Sequence, residues 1–379
     1  MRIGFLVDQM LAPVPGGTGR YSAELAAALA RLARPGDAVI SWCAWRPERE
    51  ADAGTMAGVL GPIRLPLPRR GLAAAWLRGH GPVPTGVDIV HAPTLLVPPR
   101  RRGVPLIVTI HDAVPWTHPQ TLTPHGARWH RRMGLRAARH ADAVIVPTRA
   151  VAADIQAHLT IPDDRLHVIG EGVAEAVTTV PVDADARAIR LGLPAGGYLL
   201  TLATLEPRKG LDTALAALRE PAAPDLPLVH VGSPGWGGLD LRTEAARLGL
   251  DVTRLRLLGR IDDADLAVVL SRATGLLAPS RSEGFGLPVI EAMAHGVPVV
   301  VSDIPALVEV GGDAVVTVPV GDPAALAAAA ASVAGDEGLR SRLSARGRAR
   351  AAAFTWNEAA EAVWSLYRRV TGSRAFSAG

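Results

Sequence analysis

Short apolar runs alternate along this chain with longer stretches of helical periodicity. Leu106–Ile110, Ala143–Val146 and Val297–Val301 are apolar at nearly every position and lack a polar face. Such runs suit strands covered on both sides, as in parallel sheets. Ile3–Val7, Val39–Cys43 and Ile89–His91 join the first two of them as a first set of strands. Leu199–Ala203, Leu228–Val231, Leu255–Leu258, Gly275–Ala278 and Ala314–Val318 join the third as a second set. Between them the spacing predicts helices over Gly19–Arg34, Ala127–His140, Arg149–Leu159, Leu211–Leu218, Ala264–Ser271, Pro288–His295 and Pro323–Ala334. Strand–helix alternation of this kind predicts an α/β fold of two doubly wound, Rossmann-like parallel-sheet domains. The boundary is expected near Ile169–Val173, ahead of a polar stretch rich in Ala and Pro. Ligands of such sheets bind beyond the carboxyl ends of the strands, which places the site in a central cleft that the two domains face.

A length of 379 residues agrees with two domains. A single cysteine, Cys43, allows no internal disulfide and fits a reducing, cytoplasmic compartment. Met1–Val7 reads as a buried strand rather than an export leader, and no apolar run approaches a membrane span. Charge is uneven: residues 1–172 hold 20 arginines against 13 acids, a net +7, while the remainder holds 20 basic residues against 23 acids, a net −3. Arg100, Arg101 and Arg102, with Arg128, Arg131, Arg132, Arg136 and Arg139, concentrate the excess. This predicts either attraction to an anionic membrane surface at the inner membrane face or a solvated helix face. Nucleic acid is not an expected partner, since no binding motif accompanies the charge.

Among the 40 basic residues only Lys209 is a lysine. It sits beside Arg208 in the turn Thr204–Gly210, between a strand and a helix. Two adjacent cations there suit an anion, phosphate above all. A second signal is Pro279–Glu291, where a strand runs through Gly284 and Gly286 into a helix that Pro288 is expected to begin. Glu283 then lies on the glycine-rich loop and Glu291 on the first helical turn, two carboxylates suited to sugar or ribose hydroxyls. Gly16 and Gly17 precede the first predicted helix and can offer amides to a phosphate. His111 ends a strand, where a neutral imidazole can serve a substrate hydroxyl or simply be a satisfied structural histidine. His118, His125 and His130 match no usual zinc spacing. Of the Asp-x-Asp strings, Asp183/Asp185 lies in a polar stretch and Asp263/Asp265 follows Asp262, an expected helix N-cap.

Together these segments resemble glycosyltransferase family 4, enzymes of the GT-B fold. The matching residues are Gly16-Gly17, His111-Asp112, Glu206-Pro207-Arg208-Lys209-Gly210, Gly232-Ser233-Pro234-Gly235, Leu258-Gly259-Arg260, Glu283 with Glu291, and Phe354-Thr355-Trp356. The resemblance implies an acceptor-binding domain over 1–172, a donor-binding domain over 173–355, and a final helical segment, 356–379, crossing back to the first. It implies a retaining hexosyltransferase that uses a nucleotide-sugar donor, a glycan or lipid-linked acceptor and no metal or other cofactor. Arg208 and Lys209 would hold the donor diphosphate, assisted by Gly16, Gly17 and the amides of Leu287, Pro288 and Val289. Glu291 would bind the ribose, and backbone at Arg260 and Ile261 would read the base. Glu283 and the Gly284, Phe285 and Gly286 backbone would orient the sugar, with His111 contacting it. Many members carry an arginine where this chain has Thr204, so the diphosphate leans harder on Arg208 and Lys209. The stretch Thr109–Trp116 resembles members that use GDP-mannose. Trp116 and Trp129 are candidates for stacking on an acceptor sugar, or for core packing. A UDP- or dTDP-sugar transferase, a sugar-nucleotide epimerase and a non-enzymatic sugar-binding protein are the alternatives.

Overall fold

A computed structural model describes residues 1–235 and 238–375. It divides into two compact units: Met1–Gly172 together with the residues from Trp356 onward, and Val173–Thr355. In the first unit seven strands, all pairing in parallel, form one sheet: β1 (Arg2–Leu6), β2 (Ala38–Cys43), β3 (Leu60–Arg64), β4 (Ile89–Ala92), β5 (Leu106–Thr109), β6 (Ala143–Val146) and β7 (Leu166–Val168). Their spatial order is β3-β2-β1-β4-β5-β6-β7. The second unit has six: β8 (Leu199–Leu202), β9 (Leu228–Val231), β10 (Leu255–Gly259), β11 (Gly275–Ala278), β12 (Val299–Ser302) and β13 (Val315–Val318). Their order is β10-β9-β8-β11-β12-β13. Both are doubly wound sheets, as the apolar runs predict.

Two strands escape the apolar pattern, both at sheet edges. β3 contains Gly61 and Pro62 and is largely exposed, and β7 has three residues, none buried. Edge strands bury only one side and tolerate proline, so neither carries an uninterrupted apolar run. The first helix, Gly16–Arg31, begins three residues before the expected Gly19, with Pro15 at its cap position. Gly16 and Gly17 therefore lie in its first turn rather than ahead of it. Helices at Ala184–Leu191, Leu241–Arg247, Pro305–Gly311 and Glu337–Ala351 are additions to the sequence-based set.

In each unit, side chains from the sheet and the covering helices form one apolar core. The final helix, Trp356–Ala375, packs on the Gly16–Arg31 helix. Trp364 Nε1 donates to the Leu29 carbonyl at 3.0 Å, and Arg31 donates to Asn357 Oδ1 at 2.7 Å. Beneath them His91 on β4 stands between two hydroxyls, Tyr367 Oη at 2.6 Å and Thr109 Oγ1 at 2.9 Å. Burial, with a smaller contribution from His111, pushes its pKa down to about 3. Trp116 and Trp129 pack on the core of this unit. A Cβ at Gly134 would lie 2.6 Å from the Trp116 ring, so the missing side chain there makes room for the indole.

Candidate functional site

The second sheet has its topological switch point at β8 and β11, neighbours from which the connections diverge to opposite sides. The loops leaving these two strands carry Glu206, Arg208 and Lys209 on one side and Ser280, Arg281 and Glu283 on the other. Gly210 closes the first loop at φ +64°, where a Cβ would lie 1.9 Å from the Pro279 carbonyl oxygen. Only glycine fits both the left-handed backbone and that approach. The two loops consequently touch. Lys209 Nζ donates to Glu283 Oε1 at 2.5 Å, and Arg208 Nη1 lies 3.4 Å from Glu283 Oε2. Ser280 Oγ donates to Glu283 Oε1 at 2.8 Å.

Three residues that the motif reading leaves without a role fix this cluster. Thr204 Oγ1 donates to Glu206 Oε1 at 2.6 Å, and Arg208 Nε donates to Glu206 Oε2 at 2.8 Å. Thr204, which stands where many relatives have an arginine, thus orients the carboxylate that steers Arg208. Arg281 N donates to the Arg208 carbonyl at 2.7 Å, and its guanidinium bonds the Pro207 carbonyl and Asp212. That Glu206 precedes Pro207 in the matched segment was the available signal; the Thr204 and Arg281 contacts had none, because they depend on loop shape.

All four charged side chains are at most 18 % exposed. Burial alone would raise the Glu283 carboxyl, but Lys209 and Arg208 outweigh it and hold it below the usual carboxylate range. Burial and the neighbouring guanidinium pull Lys209 below its ordinary value, opposed by Glu283. The cavity beside Lys209 and Glu283 measures about 20 Å³, with Ser280, Gly286, Val289 and Leu307 among its walls. That is room for about one water. A phosphate or sugar therefore enters by exchanging against the Lys209–Glu283 ion pair.

The helix Leu287–Ala294 begins at Leu287, one residue before the expected Pro288, because Gly286 at φ +98° occupies the cap position. A Cβ there would meet Leu307 at 2.6 Å. This shifts Glu291 beyond the first turn, where it is buried at 3 % exposure. Of the amides assigned to Leu287, Pro288 and Val289, proline has no N–H and Val289 N donates to the Gly286 carbonyl at 2.9 Å. Leu287 alone can supply one. Phe285 is buried edge-on against Phe354, with ring centroids 5.5 Å apart. Gly284 is buried in the same loop. Arg260 and Ile261 follow β10, the first exposed and the second half-buried, outside the ion cluster.

Gly16, Gly17 and His111 belong to the first unit. Both glycines are exposed, and no side chain caps their helix. His111 Nε2 donates to the Pro93 carbonyl at 2.8 Å, and its Nδ1 lies 3.4 Å from Glu171 Oε1. The Tyr21 ring stands edge-on at 4.6 Å. Burial lowers the affinity of the ring for a proton, but the hydrogen bond and charge of Glu171 more than restore it, so the pKa is raised. Both nitrogens favour donation, which corrects the expectation of a neutral imidazole ready to accept. Glu171, distant in sequence, carried no signal of this pairing.

Asp262 caps the helix Asp263–Arg272 as expected, accepting from Asp265 N. Asp265 also pairs with Arg187 at 2.8 Å and Arg190 at 2.6 Å, and Asp183 and Asp185 pair with Arg187 and Arg272. Among the described residues no three His, Cys, Asp or Glu side chains are grouped to hold a metal ion. No helix among them is long and apolar enough to cross a membrane.

Comparison with known proteins agrees with this arrangement. Residues 15–176 match the family model described as Glycosyltransferase Family 4, and residues 193–350 match that of Glycosyl transferases group 1. A D-inositol 3-phosphate glycosyltransferase of Streptomyces scabiei is 31% identical over 84% of this chain and 76% of its own length. An O-antigen chain mannosyltransferase B of Escherichia coli is 28% identical over 74% of each chain. A phosphatidyl-myo-inositol mannosyltransferase of Mycobacterium tuberculosis is 37% identical over 56% of this chain and 58% of its own, so that likeness spans little more than half of each. Among solved structures, a sucrose-phosphate synthase from Thermosynechococcus elongatus superposes with a TM-score of 0.79 over 98% of this chain and all of its own, at 24% identity.

Proposed function

This chain belongs to glycosyltransferase family 4, and on that premise we propose that it transfers a hexose, mannose from GDP-mannose, to a glycan or lipid-linked acceptor with retention and without metal. The observation that carries the reading is the Arg208/Lys209/Glu283 cluster at the switch point of the second sheet. Sugar transfer is held back by departure of a nucleoside diphosphate. A cation about 4 Å from a phosphate is worth about 4 kcal/mol at an effective dielectric near 20. A helix end supplies about 0.3–1 kcal/mol, at most ~2. Arg208 and Lys209 therefore dominate leaving-group stabilisation, with the Leu287 amide secondary. Glu283, released from Lys209 as the diphosphate takes its place, accepts hydrogen bonds from the sugar, and Glu291 from the ribose. Backbone at Arg260 and Ile261 reads the base. His111, in its proton-rich form, serves as a donor toward the transferred sugar. The mannosyl preference is supported by the names of two relatives and by the Thr109–Trp116 stretch. The inositol 3-phosphate relative favours a second reading, a small phosphorylated acceptor with another nucleotide donor.

A thermal-shift series with GDP, UDP, ADP and dTDP tests the donor. At about 100 times its Kd a ligand stabilises the native state by about 2.7 kcal/mol, so GDP should raise the melting point most. A larger shift with UDP or dTDP would replace GDP in the reading, and no shift with any of the four would remove it. Because the two cations substitute for a divalent ion, turnover should also survive EDTA. Loss of turnover on chelation, restored by Mg²⁺, would overturn the metal-free assignment.

A further inference from the structure

The net charge of the first unit is concentrated in one stretch. From Arg69 to Ala141 the chain carries eleven arginines and two acids, Asp88 and Asp112. Neither acid neutralises an arginine side chain through a listed contact of its own: Asp88 Oδ2 accepts from the Arg2 amide, and Asp112 Oδ1 from the Val114 amide. The helices Arg69–Leu77 and Pro124–His140, which contain no acid, pack against each other. Between their carboxyl ends lies a cavity of about 430 Å³, walled by Leu77, Arg78, Arg132, Leu135, Arg136, Arg139 and His140.

Its place in the fold separates it from the switch-point chemistry. The Arg69–Leu77 helix leads into β4 and the Pro124–His140 helix into β6, so these helix ends lie at the amino edge of the first sheet. His111 and the Gly16–Gly17 turn lie at its carboxyl edge. Asp142 marks the amino edge, accepting from Leu106 N at the start of β5 and pairing with Arg100 at 3.1 Å.

Ordinary helix capping does not account for the cations. The Ala138 and Ala141 carbonyls, at the end of the longer helix, already accept from the Arg165 guanidinium at 2.7 Å and 3.0 Å. Among the described residues no carboxylate pairs with Arg132, Arg136 or Arg139 within 4.0 Å. The Arg136 guanidinium lies over Gly79, and its Nε is buried without a hydrogen-bond partner. Burial, then Arg136, Arg100 and Arg139, depress the His140 pKa, so the imidazole registers the same crowd of positive charge. Leu135, 43 % exposed, adds an apolar wall next to the guanidinium groups. Guanidinium groups beside exposed leucine match a lipid interface, where phosphates meet acyl chains.

We propose that this cavity docks the phosphate headgroups of an anionic bilayer, holding the first unit at a membrane surface by its amino edge. The inference deepens the lipid-linked-acceptor branch of the proposed function and rests on it for its purpose, while its test is independent of catalysis. Co-sedimentation would compare phosphatidylcholine vesicles with and without phosphatidylglycerol, at low and high salt. The protein should bind the anionic vesicles only, and less as salt rises. The doubly substituted R136Q/R139Q protein should bind them about 30-fold more weakly, each basic residue near a surface contributing about one step of that loss. R242Q, in the other unit, should bind as the unsubstituted chain does. The GDP-dependent thermal shift of R136Q/R139Q should be unchanged, which shows the variant folded and the donor reading intact. Absence of binding to anionic vesicles at low salt, or equal binding by R136Q/R139Q, would overturn the proposal. So would inorganic phosphate or duplex DNA displacing the protein from vesicles at constant ionic strength, since either would assign the cavity to a different anion. Failure of every nucleotide shift alongside normal vesicle binding would instead sink the donor reading alone.

Discussion

Lys209→Ala should lower glycosyl transfer by at least about 100-fold, the scale on which loss of one preorganised charge stabiliser slows an enzyme. The geometry gives the reason. Lys209 Nζ holds Glu283 at 2.5 Å in a site where both side chains are almost enclosed, so its charge is poorly screened by water. Arg208 cannot replace it, because Glu206 already fixes its Nε and its Nη1 is 3.4 Å from Glu283. Removing the ammonium also leaves Glu283 with a weaker counter-charge, which repels an incoming diphosphate. Transfer and donor affinity should both fall. Lys209→Arg should recover little, since a planar fork does not fit the space of a compact ammonium. Steady-state kinetics with the donor identified by thermal shift, on protein whose unfolding transition remains cooperative, measures the effect. Turnover of Lys209→Ala near that of the unsubstituted chain would end the leaving-group assignment.

The legibility of this arrangement in sequence follows burial. β5, β6 and β12 are covered on both faces, so their apolar runs announce them. β3 and β7 have one neighbour each and answer to no such constraint. The Lys209–Glu283 contact was legible because backbone punctuation surrounds it: Gly210 and Gly286 adopt positive φ, and such positions leave a mark on the chain. The partner choices were not. Thr204 with Glu206, Ser280 with Glu283 and Glu171 with His111 are pairings that any polar residue of similar reach could make, and they are set by how loops fold against one another. Glu291 shows the same limit on a finer scale. A shift of one residue in the start of its helix, caused by the conformation of Gly286, moved it from an expected first-turn position to a buried one beyond it.

Acidification should destabilise both units before their carboxylates are protonated, because each buries a neutral histidine. Burial pushes His91 down to about 3 and His230 down to about 4. Each ring takes up a proton in the unfolded chain near pH 6.5 but not in the folded one until far lower. The stability tied to each is therefore complete above about pH 6.5 and falls as pH drops toward its folded value, by about 1.4 kcal/mol per pH unit. At about pH 4.5 this amounts to about 2.7 kcal/mol for each histidine, a large share of the 5–15 kcal/mol that typically holds a domain together. His111 has the opposite sign. Its raised pKa gives stability that is full below the unfolded value and is lost as pH rises through the folded one. The first unit should therefore weaken on both sides of neutrality, while the effect of His230 on the second is confined to acid. His91→Gln keeps a donor and an acceptor for Tyr367 and Thr109 but cannot titrate. Urea unfolding between about pH 7 and 4.5 should show its acid slope reduced by about 1.4 kcal/mol per pH unit relative to the unsubstituted chain. An unchanged slope would mean that His91 is already protonated in the folded core, and the network joining β4, β5 and the final helix would have to carry a buried charge.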